Sequence, residues 1–111
     1  MDKIYYQLKK NVKKVESGNG HYSYPMLGKE QGCKSGCCAG ISYYTKNEYT
    51  PAAVHNDQEG FMVLSGEGWA RIGTAEIRLE KEMAFIVPAG VEHQMRCENE
   101  ELVLFWFHAS S

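Results

Sequence analysis

From Ile41 onward the chain consists of short segments rich in apolar residues, each separated from the next by residues that favour turns. Runs of this length with turn residues between them are typical of β-strands. The predicted strands cover residues 41–46, 50–55, 59–65, 68–73, 76–79, 83–87, 92–97 and 101–108. Short strands in this number suit a closed double-sheet jelly roll, or double-stranded β-helix, because closure limits exposed strand edges. The sequence therefore predicts an all-β barrel.

The first 40 residues are harder to interpret. Residues 1–16 contain apolar positions that fit a helical stripe, whereas Tyr5 and Tyr6 favour a strand, so we predict a short strand or an irregular arm. Glycines at 28, 32, 36 and 40 argue against a long regular element in the segment that follows residue 20. We expect a single domain over 1–111, with an N-terminal arm and strands to residue 40 and the barrel over 41–108.

Composition narrows the possible partners and compartment. A chain of 111 residues with 43% hydrophobic and 23% charged residues fits one globular domain. Twelve basic and fourteen acidic residues give a formal charge of −2, so nothing suggests a nucleic-acid partner. No segment has the length and apolarity of a membrane span, and the amino end lacks the apolar run of a signal peptide. We therefore expect no membrane association, a cytoplasmic location and free thiols.

His55 and Glu59 form the first candidate pair of metal ligands. In a single extended strand they would be four steps of about 3.3 Å apart, which is too far to share a ligand. The chain must therefore turn between them, and Asn56 and Asp57 favour such a turn. A reversal there would place His55 and Glu59 side by side on neighbouring strands.

His93 is the third candidate ligand. It follows a predicted tight corner, because Pro88 suits position i+1 of a type I turn and Gly90 suits position i+3. Two imidazoles and a carboxylate from three strands form a facial set that leaves other metal positions open. Such a set accepts a divalent ion, and Zn, Fe, Mn and Ni remain alternatives.

These residues resemble the motifs of the cupin family. Its first motif has two histidines one residue apart, then a Glu and a Gly, and Ala53-Val54-His55, Glu59 and Gly66 follow that spacing. Pro88, Gly90 and His93 match the second motif. The resemblance covers roughly residues 40–108, and it implies the jelly-roll fold and the metal ligands His55, Glu59 and His93.

The sequence departs from the family pattern at three positions. Ala53 stands in place of the first motif histidine, Glu82 in place of a Gly, and Cys97 in place of an Asn. The change at Ala53 leaves three ligands, and it also allows the alternative of a cupin that has lost its metal. Candidates for a fourth ligand are His21, His108 and Asp57. We expect His21 to lie on the surface, His108 in the core or at the rim, and Asp57 to serve the turn.

The cysteines offer a further alternative. Cys33, Cys37 and Cys38 lack the second cysteine pair of a zinc ribbon, so they are interpreted as small packing residues or as a thiol-based sensor. Cys97, four residues after His93, is either a reactive thiol near the barrel mouth or a packing residue.

Two classes of function remain open. Resemblance to cupins permits isomerases, decarboxylases and dioxygenases that act on a small oxygenated molecule, with Tyr43, Tyr44 and Glu82 as possible acids or bases. The alternative is a non-catalytic module that binds or senses a small molecule, with or without metal.

A homodimer is also predicted. Glu59, Phe61 and Val63 share one face of a strand, and Met62 and Leu64 share the other. Residues 101–108 are likewise apolar on both faces, so one small barrel would leave an apolar face exposed to water.

Overall fold

The computed structural model describes residues 5–109, which form an almost purely β structure. The strands in this range are β1 (Val15–Gly18), β2 (His21–Leu27), β3 (Cys38–Tyr44), β4 (Gln58–Ser65), β5 (Gly68–Ile72), β6 (Ala75–Leu79), β7 (Ala84–Val87), β8 (His93–Cys97) and β9 (Leu102–Ala109). Two short 3₁₀ turns lie at Lys9–Asn11 and Lys29–Gln31. No helix within residues 5–109 is long and apolar enough to cross a membrane.

The strands form two antiparallel sheets. The larger has the order β1-β2-β3-β9-β4-β7, and the smaller has the order β6-β5-β8. The apolar core contains Tyr44, Phe61, Val63, Ala70, Leu79, Val87, Met95, Cys97, Leu102 and Leu104. Because residues from both sheets pack into one cluster, the arrangement is a jelly roll, and the predicted all-β fold is confirmed.

The predicted strand at 50–55 is wrong. This segment makes one isolated bridge, in which Ala53 pairs with His93, and otherwise it runs as a loop beside β8. Pro51 has no N–H to donate, which limits ladder formation at this point. His55 therefore lies on a loop and not on a strand next to Glu59.

The N-terminal third contains a strand that the glycine pattern did not predict. β2 spans seven residues and pairs with β3 from His21–Tyr44 to Leu27–Ala39. Among residues 5–14 there is no strand, and residues 1–4 lie outside the described range. Gly28 and Gly32 flank a 3₁₀ turn. Gly28, Gly32 and Gly36 thus lie between β2 and β3, whereas Gly40 lies within β3. β2 itself contains no glycine.

The outer face of the large sheet is apolar. Met62 and Leu64 of β4 are 40% and 41% exposed, and Ile86 of β7 and Phe107 of β9 are exposed to a similar degree. β4 pairs with both β7 and β9, so these residues lie on adjacent strands. The alternation predicted for β4 is therefore present, with one set of side chains in the core and the other facing outward.

Candidate metal centre

Glu59 and His93 enter the barrel from the two different sheets. Glu59 is the second residue of β4, and His93 is the first residue of β8. Both are buried, with 7% and 6% of their surface exposed. A carboxylate and an imidazole in such a position need polar partners to offset the loss of water.

His55 is held by the turn that precedes His93. The N–H of Val91 donates to the Pro88 carbonyl at 3.3 Å, so the turn begins at Pro88 and Gly90 occupies its third position. Gly90 has a φ of +79°, which a type II turn requires there, and the predicted type I placement is wrong. The N–H of Gly90 donates to the His55 carbonyl at 2.8 Å. The second motif therefore positions a residue of the first.

The three predicted ligands converge on one carboxylate oxygen. Glu59 Oε1 lies 3.5 Å from His55 Nε2 and 3.4 Å from His93 Nε2. One ligand atom from each residue lies within 4.8 Å of the others. Metal bonds of about 2.0–2.2 Å place neighbouring ligand atoms about 3.0–3.5 Å apart. The separations in the cluster therefore fit a shared ion.

Buried polar atoms without hydrogen-bond partners also indicate a metal site. Glu59 Oε1 has no hydrogen-bond partner among the described residues, and neither has His93 Nδ1. A buried, unpaired carboxylate oxygen is costly unless a cation or donor satisfies it. An ion between Glu59 Oε1 and the two Nε2 atoms would supply that partner, so the residues present fit a divalent metal.

His108 lies behind the cluster and contacts the second oxygen of Glu59. Its Nε2 is 3.2 Å from Glu59 Oε2, and its Nδ1 is 3.0 Å from Asp57 Oδ1. The hydrogen bond from His108 lowers the pKa of Asp57 below its ordinary value. Asp57 therefore serves His108 as well as the bend at 56–57. Neither residue belongs to the three-residue cluster, although both were candidates for a fourth ligand.

His21 is not the surface residue that the sequence predicted. It begins β2, and its ring stacks on Tyr44 with centroids 4.4 Å apart and planes at 13°. Burial lowers the pKa of His21, and its Nε2 is buried without a hydrogen-bond partner among residues 5–109. His21 thus presents a ring that favours the neutral form to the cavity beside the cluster.

Ala53 lies directly opposite His93. The two residues exchange both backbone hydrogen bonds, each at 3.0 Å. Directly opposed residues in an antiparallel pair project to the same face. The position that lacks the first motif histidine is therefore beside His93, at the wall of the cavity.

A cavity of about 410 Å³ adjoins the cluster. Its walls include Tyr44, Phe61, Met95 and Trp106 as well as His21. Trp106 Nε1 is buried without a partner in the part of the chain that the structure describes. The apolar pattern over residues 101–108 indicates which face Trp106 occupies, but it does not reveal that its N–H lacks a partner.

The proposed acids and bases lie in different environments. Tyr44 lines the cavity, but burial raises the pKa of its hydroxyl far above the ordinary value, so it stays protonated. Tyr43 stacks on Tyr22 and does not line this cavity. Glu82 lies in the turn before β7, where its N–H donates to Val63. Tyr44 is thus the one of the three that reaches the cavity.

The cysteines separate into two groups. Cys97 is 2% exposed within the apolar core, and burial raises the pKa of its thiol. The structure therefore supports its packing interpretation. Cys33 and Cys37 lie near the surface with their sulfur atoms in contact, and Cys38 begins β3.

Comparison with known proteins identifies the family of this chain. Residues 40–108 match the family model described as Cupin domain, so the chain belongs to the cupin family. No curated protein sequence matches the chain.

Solved structures show the same fold at low sequence identity. An RmlC-like cupin from Shewanella frigidimarina has a TM-score of 0.79 and 15% identity, covering 96% of this chain and 90% of that one. The cupin domain of Schizosaccharomyces pombe Cnp3 has a TM-score of 0.77 and 17% identity, covering 94% and 68%. A salicylate 1,2-dioxygenase from Pseudaminobacter salicylatoxidans has a TM-score of 0.73 and 20% identity, covering 85% of this chain and 27% of that one.

Proposed function

We propose that this cupin binds one divalent metal ion through His55, Glu59 and His93 and holds a small oxygenated organic molecule in the adjoining cavity. The main support for this proposal is the buried Glu59 Oε1. It lies 3.4–3.5 Å from two imidazole nitrogens and has no hydrogen-bond partner among residues 5–109. Two imidazoles and a carboxylate accept Zn, Fe, Mn or Ni, and three protein ligands leave positions open.

Such an ion would supply Lewis-acid or oxygen-activating chemistry. Around it, the residues of the chain fix geometry. The Gly90 N–H holds the backbone of His55 at 2.8 Å, and His108 contacts the second oxygen of Glu59 at 3.2 Å. Asp57 in turn orients the His108 ring through Nδ1. Partners of this kind fix the direction of ligand atoms and raise metal affinity.

The cavity favours a small molecule that carries acceptor oxygens. The indole N–H of Trp106 is a donor only, and it is buried without a partner among the described residues. His21 Nε2 is also without one there, and it can donate or accept according to its tautomer. Phe61 and Met95 supply apolar walls. Pockets of this type fix the orientation of a ligand with a few polar groups on an apolar surface.

The neighbours support an enzyme as the first candidate. Structures with this fold include salicylate 1,2-dioxygenase, which has been solved as adducts with gentisate, and apo-HppE. The cupin fold also accommodates isomerase and decarboxylase chemistry, so we leave the reaction class open among these three.

A non-catalytic binding or sensing module is the second candidate. It is favoured by His108, whose two ring nitrogens contact Asp57 Oδ1 and Glu59 Oε2. These contacts give the Glu59 carboxylate a polar partner without a metal. Ala53 also favours the non-catalytic candidate, because the family pattern has a histidine ligand at this position.

Elemental analysis of protein purified without chelator tests the proposal. We expect about one metal ion per chain in the wild type, because His55, Glu59 and His93 form one cluster of three ligands. We expect near-complete loss in His55→Ala and His93→Ala, and retention in His21→Ala as the matched histidine control. Mass spectrometry of the released small molecule follows. Equal metal content in all four proteins would overturn the site, whereas a metal-free barrel with a bound organic molecule would favour the binding module.

We also propose a homodimer that buries the outer face of the large sheet. The exposed apolar residues Met62, Leu64, Ile86 and Phe107 lie on the adjacent strands β7, β4 and β9. Contiguous apolar patches on a small domain mark interaction surfaces. Sedimentation at micromolar concentration should give a dimer, and Leu64→Glu should give a folded monomer. A monomeric wild type would contradict this assignment.

A further inference from the structure

A tight turn brings two cysteines together outside the metal cluster. The N–H of Cys37 donates to the Lys34 carbonyl at 3.1 Å. Ser35 and Gly36, the central residues of this turn, have φ values of +56° and +79°. Positive φ at both central positions characterises a type I′ turn, which reverses the chain within two residues. Cys33 and Cys37 therefore face one another, with sulfur atoms 3.3 Å apart.

We propose that Cys33 and Cys37 form a reversible disulfide by exchange with a low-molecular-weight disulfide such as oxidised glutathione. One protein thiolate attacks the glutathione disulfide, forms a mixed disulfide and releases one glutathione thiolate. The second protein thiolate attacks the protein sulfur of that mixed disulfide and releases the other glutathione. Two cysteines are oxidised, one glutathione disulfide is reduced, and the two thiol protons end on the released glutathiones.

The geometry favours this pair over the other cysteines. An S–S bond of about 2.05 Å requires the sulfur atoms to approach by only about 1 Å. Both thiols are accessible, because Cys37 is exposed and Cys33 is half-buried. Cys97 is enclosed in the core, so it cannot meet the oxidant.

Cys38 occupies a different environment from its neighbour Cys37. It is the first residue of β3 and pairs with His108 of β9, so the ladder fixes its backbone. It lines a second cavity together with His55 and Asp57. Ser35 and Gly36 border this cavity as well, so the disulfide would restrain the turn beside the candidate metal centre.

The rate of oxidation should rise with pH. The hydrogen bond that the Cys33 thiol shares with Cys37 raises the pKa of Cys33, and burial raises it further. Because the thiolate is the attacking species, exchange is slow at neutral pH and accelerates as the solution becomes alkaline.

Peptide mapping of the full chain tests the proposal. The protein is incubated with oxidised glutathione, the remaining thiols are alkylated, and trypsin cleaves after Lys34, between the two cysteines. We expect a disulfide-linked peptide pair in the wild type and in Cys38→Ser, and its loss after reduction. Cys33→Ser and Cys37→Ser should give no linked pair, and thiol titration should show two of the four cysteines consumed.

Two results would overturn the assignment. One is a wild type that retains all its thiols at alkaline pH. The other is a linked pair that persists at wild-type yield in Cys37→Ser, since this would assign the bond to Cys38. Circular dichroism of each variant checks the fold.

Discussion

The two ends of the barrel are built from the same strands but have opposite chemistry. Three opposed pairs of β4 and β9 show the change. Val63 faces Leu104 at one end, Phe61 faces Trp106 in the middle, and Glu59 faces His108 at the other end. Leu104 has no exposed surface, whereas Glu59 has an oxygen without a hydrogen-bond partner among the described residues.

This gradient separates stability from function. The closed end is sealed by fully buried aliphatic side chains, and removing such area from water is the main favourable term in folding. The open end encloses a carboxylate and imidazoles, which cost free energy unless a ligand or counter-charge satisfies them. We therefore expect substitutions at the closed end to change unfolding and substitutions at the open end to change binding.

The largest effect is expected for Leu104→Ala at the closed end. Deleting a fully buried leucine side chain leaves a cavity and should lower the free energy of unfolding by about 2–5 kcal/mol. Denaturant unfolding measures the change. The control is Val15→Ala, an exposed side chain on β1 outside the proposed dimer face, with an expected loss below about 1 kcal/mol. Similar losses in the two variants would remove the distinction between the buried core and the surface.

Glu59→Gln should change metal binding more than stability, the reverse of what we expect for Leu104→Ala. The substitution keeps the shape of the side chain and removes the charge from the ligand set, so metal affinity should fall at least about 100-fold, or about 2.7 kcal/mol. The substitution also removes a buried charge, which is costly to keep without a partner. Unfolding of the metal-free protein should therefore change by less than about 1 kcal/mol. A loss of stability as large as that of Leu104→Ala would contradict the division between the ends.

His108→Phe tests how the open end is organised. His108 contacts Glu59 Oε2 at 3.2 Å, and loss of such a supporting partner typically weakens metal binding about 10–100-fold. Isothermal titration with Zn²⁺ measures the change. Tighter binding in the variant would show instead that His108 competes with the metal for Glu59, as the metal-free alternative requires.

The sequence predicted those features that depend on local pattern. Alternation identified β4 and its inward residues, and motif spacing identified His55, Glu59 and His93, which the structure brings together. Residue preferences predicted the turns less accurately than the strands. The corner at Pro88 was predicted, but its register was displaced by one position, because Pro and Gly also suit other places in a turn.

Features that depend on long-range register were not predictable. His21 reaches the cavity because β2 pairs with β3 in a register that stacks it on Tyr44. His108 reaches Glu59 because β9 pairs with β4 across a separation of about 50 residues in sequence. Neither register can be derived from the segments alone, since a shift of one residue would turn each side chain to the opposite face.

Ala53→His tests the metal site at the open end by restoring the missing histidine ligand. Position 53 is opposite His93 in a backbone pair with both hydrogen bonds at 3.0 Å, so a new imidazole would project beside it. One further ligand should tighten metal binding about tenfold, or about 1.4 kcal/mol. Competition with a chelator measures the change, and Ala53→Gln is the control for side-chain volume. A folded variant with unchanged affinity would show that this corner does not face the metal.

The smallest effect is expected for Glu82→Gly at the closed end. β7 lies between two turns, one at the open end with Gly90 at φ +79° and one at the closed end with Glu82 at φ +71°. At such a φ, steric repulsion of the Cβ destabilises a residue by about 1 kcal/mol or more. Glycine avoids this repulsion, and its cost arises mainly from the greater conformational entropy of the unfolded chain. The net gain in unfolding free energy should be about 0.5 kcal/mol. Denaturant unfolding measures it, and Glu82→Ala, which removes the carboxylate but keeps the Cβ, should give no gain. If Glu82→Ala stabilises the protein as much as Glu82→Gly, then the charge of Glu82, and not its backbone conformation, is the source of the cost.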